Sequence, residues 1–340
     1  MKKTSTLIVV ISLVAFLLAG CGGSGSTSSG QAAGGKTYDV VFGTHLIPGT
    51  ILITVAESMI TMMSERTNGR FRMTLSHSGQ LGSQREILEA VNRGVIDISS
   101  AASGTLMAFN LPEGAILNLP YIFDNDDHFM RARHAFIPAI EQSLTNNTNF
   151  VVLFCTPNGF RHVFLNRPAR SLAGMRGMKV RTPENRGIIN AIRAIGANPT
   201  PIPSGEMYSA IQTGVVDGME NNFETIYQFK IHEVTQYGVL TQHVFIDEIL
   251  FANKNFVASL DPDDRRIFME VSEIGGQMYA DHRTTSESEY RKMLEDLGIE
   301  FIDVDLAEFR NSAGVQELWN EVIATLPAAR SIIDAINAVR

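Results

Sequence analysis

Cysteine is nearly absent: Cys21 and Cys155 are the only two in 340 residues, too few for a disulfide framework. Tryptophan occurs once, as Trp319 in the C-terminal region, so no indole stacking platform stands near the candidate site residues. Basic residues are outnumbered, 28 Lys and Arg against 36 Asp and Glu, for a net charge of −8. They are scattered, which argues against a nucleic-acid partner. No GxSxG, HExxH, CxxC, Walker loop or GxGxxG is present. The eight histidines show no metal-ligand spacing, and Asp126-Asp127-His128 reads as a solvated helix start. Neither a metal nor a cofactor is expected. Hydrophobic residues make up 44% and charged residues 19%, enough apolar content to exclude disorder for most of the chain. The length suits two compact domains.

The N-terminus reads as an address. Lys2 and Lys3 precede an apolar run from Leu7 to Leu18, long enough for a signal sequence but short for a membrane span. Leu18-Ala19-Gly20-Cys21 follows and resembles a bacterial lipobox. On that reading residues 1–20 are removed and Cys21 carries lipid; the alternative is an ordinary signal peptide with an incidental cysteine. Residues 22–35 hold only Gly, Ser, Thr, Gln and Ala, a flexible tether with a reach on the order of 20 Å. Cys155 follows the apolar run Phe150–Phe154, and a buried packing role is expected for it.

The body alternates strands and helices. Residues 38–43 read as a strand, 50–66 as a helix with an apolar stripe, and 71–75 as a second strand, the pattern of an α/β layer with a largely parallel sheet. EILEAVNRGVID at 86–97 is similar to EMYSAIQTGVVD at 206–217. Both read as a short helix stopped by glycine before a strand. The pair is either a common turn or the mark of two lobes of like build. Residues 261–298 carry helical spacing between a capping Asp261, Pro262 and Gly298. A helix of about 36 residues would span about 54 Å, and its polar middle, 281–289, suggests a strut across two lobes with a wet centre. Two shorter helices broken near Gly275-Gly276 are the alternative.

The site chemistry centres on 159–222. Met178–Arg181 reads as a strand and Thr182-Pro183 as the start of a helix, Thr182 the N-cap. Arg181 then stands at the carboxyl end of a strand beside a helix N-terminus, where open α/β sheets bind ligands and where an anion is favoured. A structural pairing with Asp or Glu is the alternative. Arg161 could meet the same anion, a second carboxylate or ligand hydroxyls, or sit in a salt bridge. Asn221 and Asn222, after a strand at 215–219, offer amide donors and acceptors, or only a loop. Glu86 could face a ligand, but Ser83-Gln84-Arg85-Glu86 also fits a capping box. His45, just past the first strand, is a further candidate. Tyr121 and Phe123 read as core or hinge packing.

At these residues the chain resembles the DctP-type solute-binding proteins of tripartite ATP-independent periplasmic (TRAP) transporters. The resemblance spans about residues 38–320. It is carried by Gln80-Leu81-Gly82, Leu119-Pro120-Tyr121, Gly159-Phe160-Arg161, Gly174–Arg181 and Gln212–Gly218 with Glu220-Asn221. It implies two α/β lobes of the periplasmic-binding-protein type, joined by crossing strands and braced by one long helix: lobe I at 38–158 plus 247–286, lobe II at 159–246 plus 287–340, after the signal at 1–20 and linker at 21–37. It implies closure over an organic acid whose carboxylate Arg181 holds, with Arg161 and Asn221 close by. Asn221-Asn222 with Arg85-Glu86 and His45 look like members that bind uronic or other sugar acids. C4-dicarboxylates stay open, since two arginines can hold two carboxylates. The expected setting is extracytoplasmic and lipid-anchored, as a monomer that delivers to TRAP membrane subunits. The rivals are a lipid-anchored enzyme acting on sugar acids and the receptor of an ATP-driven importer or a sensor. The enzyme would need an acid and a base converging in the cleft, and the sequence offers no such pair of carboxylates.

Overall fold

The computed structural model describes residues 35–340; the expected signal, Cys21 and nearly all of the tether lie outside the described residues. From residue 36 onward the chain clusters as one unit. Its main elements, in order, are β1 (Tyr38–Gly43), α1 (Ile51–Arg66), β2 (Phe71–Ser76), α2 (Gln84–Arg93), β3 (Ile98–Ala101), α3 (Asp126–Asn147) and β4 (Phe150–Leu165). There follow β5 (Lys179–Thr182), α4 (Arg186–Ala194), β6 (Asn198–Pro201), α5 (Met207–Gln212), β7 (Gly218–Asn221), α6 (Phe223–Gln228), β8 (Tyr237–Asn253), α7 (Pro262–Asp296) and β9 (Glu300–Ile302).

The strands form one sheet in the order β2-β1-β3-β8-β4-β7-β5-β6, with β9 beside β8. The two outer triplets, β2-β1-β3 and β7-β5-β6, are internally parallel. Between them run β4 and β8, the two longest strands, paired antiparallel with each other. Helices cover both faces, as a parallel sheet requires. Ile87, Leu88 and Phe129 pack one side of the first triplet and Val55, Met59 and Phe268 the other. Val180, Ile188 and Ile192 do the same on the second triplet, opposite Met207, Ile211 and Ile226. The result is a two-lobed α/β fold around two crossing strands. The expected chain divisions at 158/159 and 246/247 fall in mid-strand, where β4 and β8 lose regular register between Pro157 and Gly159.

The repeated segment is the inner unit of each triplet. Gly94 and Gly214 close α2 and α5 at φ 75° and 74°, a left-handed conformation that glycine adopts without steric cost. The aspartate three residues on then does the same work twice. Asp97 accepts the Val41 N–H at 2.8 Å and Asp217 accepts the Lys179 N–H at 2.8 Å, each clamping a strand to its neighbour. The second strand begins at Gly218 rather than 215, because the aspartate clamp occupies the intervening loop.

α7 runs unbroken for 35 residues. Gly275 and Gly276 do not end it; they let it approach its neighbours. A Cβ on Gly275 would lie 2.5 Å from Met59 Sδ of α1, and one on Gly276 2.7 Å from Phe154 Cβ of β4. Asp261 stands at the N-cap position but its side chain makes no cap bond. The middle, 281–289, is mostly exposed as expected, with Arg283 the exception. Arg283 is buried, packs on Gly159 of β4 and pairs with Glu287 on its own helix and, at 3.9 Å, with Asp126. Cys155 is buried, with its thiol pushed well up by burial. Tyr121 and Phe123 are likewise core residues. Among the described residues no helix is long and apolar enough to cross a membrane, and no cluster suited to a metal ion occurs.

Candidate functional site

A cleft of about 1020 Å³, partly open to solvent, lies where the ends of both strand triplets meet the β4/β8 crossing. His45, Thr50 and Leu52 line it from the β1–α1 side, Arg85 from the mouth, Asn158 and Arg161 from β4, and Arg181, Asn221 and Asn222 from the second triplet.

Arg181 emerges near the carboxyl end of β5 and is 3% exposed. Its Nε donates to the Ile202 carbonyl at 2.8 Å; among the described residues its two Nη groups have no hydrogen-bond partner and no carboxylate forms an ion pair with it. Burial, reinforced by Arg161, pulls its pKa down to about 10 against the pull of Glu220 and Glu184. It stays cationic at neutral pH, at an energetic cost that a bound anion would lift. The helix after it starts later than expected. Thr182 still belongs to β5, and the N-cap is Asn185, whose Oδ1 accepts the Ile188 N–H at 3.1 Å. Residues 183–185 instead form cleft wall.

Arg161 is committed differently. Its Nη2 donates to Glu220 Oε1 at 2.8 Å and to the Glu220 carbonyl at 3.1 Å, and its Nε to Oε2. Glu220 has no exposed surface, and His243 Nε2 lies 3.4 Å from its Oε2. Burial alone would raise the Glu220 pKa, but Arg161 and His243 bring it below the ordinary value. Arg161 therefore faces the cleft with its charge matched and its fork held in place. Glu220, which orients the cleft residue Arg161, is a candidate that the sequence reading does not single out, although it sits in the quoted run beside Asn221.

The remaining candidates divide. Asn221 lines the cleft, its Oδ1 accepting the Asn222 N–H at 2.9 Å while its amide nitrogen has no partner among the described residues. Asn222 also lines the cleft, but its side chain is spent. Oδ1 caps α6 by accepting the Thr225 N–H at 3.1 Å, and Nδ2 donates to Asn158 Oδ1 at 2.9 Å. Glu86 is not among the lining residues. It forms the capping box with Ser83, and the backbone and side-chain bonds to Ser83 hold its pKa low. Arg85 reaches the mouth with its Nε on Glu89 at 3.0 Å. His45 is on the wall, and burial together with the Arg181 charge lowers its pKa to about 4, so it is a neutral imidazole at pH 7.

Contrary to the sequence reading, carboxylates do converge in the cleft. Asp247 and Glu248 of β8 and Glu224 of α6 all line it. Two consecutive acids inside the apolar run Phe245–Phe251 were the available signal, because buried carboxylates are retained only where something satisfies them.

The family's sequence profile, described as bacterial extracellular solute-binding protein, family 7 (DctP), matches residues 42–325. The chain belongs to the DctP family. It is 28% identical over 296 residues to the sialic acid-binding periplasmic protein SiaP of Vibrio cholerae, covering 87% of this chain and 91% of SiaP. It is 23% identical over 287 residues to the 2,3-diketo-L-gulonate-binding periplasmic protein YiaO of Escherichia coli, covering 84% and 87%. Among solved structures, a TRAP periplasmic solute-binding protein from Pseudomonas putida F1 with bound D-glucuronate superposes at a TM-score of 0.83 with 25% identity, over 89% of this chain and 98% of that one. This DctP-family chain is thus an extracytoplasmic solute-binding protein of the TRAP type, as its sequence motifs imply, and its family is one of transport rather than catalysis.

Proposed function

We propose that the protein captures a uronic or closely related sugar acid between its two lobes and delivers it to TRAP membrane subunits without chemical turnover. The observation that carries this reading is the buried Arg181 guanidinium, turned into the cleft with no carboxylate of its own. A ligand carboxylate supplies the missing counter-charge in a bidentate pair. Arg161, oriented by Glu220, and Asn221 stand beside it for ring or hydroxyl oxygens, with neutral His45 opposite. The ligands of SiaP, YiaO and the P. putida protein support a sugar acid. Closure about the crossing of β4 and β8, with lobes divided near 158/159 and 246/247, would let the ligand bridge both halves. A monomer held to the membrane through lipid on Cys21 fits the tether composition. Arg161 gives little support to the C4-dicarboxylate alternative, since Glu220 already balances its charge.

A thermal-shift screen of the purified protein against organic and sugar acids tests the proposal. D-glucuronate or D-galacturonate should raise the melting temperature, because a ligand at 100 times its Kd adds about 2.7 kcal/mol. Stabilisation by succinate and malate alone would overturn it, as would turnover of a uronate.

A further inference from the structure

Resting on the sugar-acid reading above, we propose that Glu248, Asp247 and Glu224 form an acidic wall that selects a hydroxylated monoacid and rejects a diacid of the same carbon skeleton. Glu248 and Asp247 lie on β8 beside Asn158, whose Nδ2 donates to Glu248 Oε2 at 3.2 Å. Asn158 is three residues before Arg161, about 10 Å of strand, so the cleft has a cationic end and an anionic end. Asp247 accepts the Ser103 N–H at 3.0 Å and the Ser103 hydroxyl at 2.8 Å. Glu224 accepts the Ile51 N–H at 2.6 Å across the cleft. Each carboxylate is thereby fixed; Glu248 and Glu224 retain lone pairs that these bonds do not fill, while Asp247, which Asn118 and its own N–H also contact, adds charge behind them.

A second observation points to a ligand at this end. Thr105 lines the cleft and is 2% exposed, and its hydroxyl is buried with no hydrogen-bond partner among the described residues. A buried hydroxyl without a partner is costly, and ligand oxygens would satisfy it. Ligand hydroxyls can donate to the carboxylates and accept from Thr105. A carboxylate in the same place accepts only, and adds negative charge to a wall whose neighbouring cation, Arg283, is already paired with Glu287 and Asp126. Burial has already pushed Glu248 and Glu224 up to about 7 and Asp247 to about 6, which shows how poorly this end tolerates further negative charge.

Calorimetry on the wild type, Glu248→Gln and Asp247→Asn with matched acids tests the wall: D-gluconate against D-glucarate, and L-threonate against L-tartrate, with D-glucuronate in parallel. Within each pair the second acid carries a carboxylate where the first carries a hydroxymethyl group. The wild type should prefer the monoacid by at least tenfold, and Glu248→Gln should shrink that preference at least tenfold by gaining the diacid. Equal binding within both pairs by the wild type overturns the wall, even if D-glucuronate binds and the sugar-acid reading holds. An unchanged preference in both folded variants overturns it too. Failure of D-glucuronate and D-gluconate, with L-threonate still preferred over L-tartrate, overturns the uronate reading in favour of a shorter hydroxylated acid and supports the wall. No binding of any of the five overturns both.

Discussion

Replacing Arg181 by methionine should strengthen the empty protein while removing its ligand response. The guanidinium is buried and its pKa is held near 10 rather than 12.5. At 1.36 kcal/mol per pKa unit, the charged form costs the fold about 3 kcal/mol. Methionine fills similar volume without a charge and loses only the charge-assisted bond to the Ile202 carbonyl, worth about 1.5–3 kcal/mol. The net expectation is a gain of about 0–1.5 kcal/mol, the sign seen when buried ionic groups are replaced by apolar ones of similar shape. Urea unfolding of the ligand-free protein reads this as a higher midpoint at unchanged slope. Repeated with the uronate that stabilises the wild type, the same titration should show no added stability in the variant. A loss of more than about 1 kcal/mol in the empty variant would make Arg181 a structural residue, and the reasoning would fail. Undiminished ligand stabilisation would refute it from the other side.

Two further outcomes follow from the buried charges. Glu220→Ala strips Arg161 of its counter-ion inside the fold and should cost about 3–5 kcal/mol; a thermal melt within about 1 kcal/mol of wild type would show that the pair does not hold the site. Glu248→Gln should gain on the wild type as pH rises. With its folded pKa raised from 4.5 to about 7 by burial, reinforced by Asp247 and Glu224, Glu248 keeps its proton in the folded state over a range where the unfolded chain has lost it. Its contribution is therefore most favourable below pH 4.5 and falls until pH 7. His45 and His162, lowered to about 4 and about 3 by burial and neighbouring charge, act in the opposite direction on the acid side, but equally in both proteins. The difference in unfolding free energy should shift by about 2 kcal/mol between pH 5 and 8, and a constant difference would contradict the burial argument.

What could be read in advance divides by range along the chain. Apolar spacing found α1, and Pro262 with Gly298 bracketed α7, because caps and stripes are local. Glu86 stayed open between a ligand and a cap, although Ser83, the partner that decides it, stands only three residues away. The glycines of α7 were ambiguous because the same residue type serves a break and a close approach, and only Met59 and Phe154, far off in sequence, decide between them. Thr182-Pro183 looked like a helix start, but pairing with β6 keeps Thr182 in a strand and passes the cap to Asn185. Arg161 and Glu220 are separated by 59 positions and Asp247 and Ser103 by 144. No periodicity connects such partners. Only the sheet order brings them together, and with it the acidic wall.

The repeated inner units show where specificity enters. Asp97 and Asp217 clamp their strands identically, and Gly94 and Gly214 turn the chain alike. The residues that follow diverge. In register with the offset of the repeat, β3 carries Ser100 and Ala101 where β7 carries Glu220 and Asn221. The first lobe thus ends its strand in small buried side chains paired with Leu250 and Ile249 of β8. The second ends in the carboxylate that aims Arg161 and the amide that faces the cleft. Had both units kept the same pair, the crossing would hold either two buried glutamates, with one guanidinium between them, or none. Divergence at two positions of a shared scaffold puts the carboxylate that orients Arg161 and the amide that lines the cleft in the second unit alone, the asymmetry needed to hold a small molecule with one acidic end.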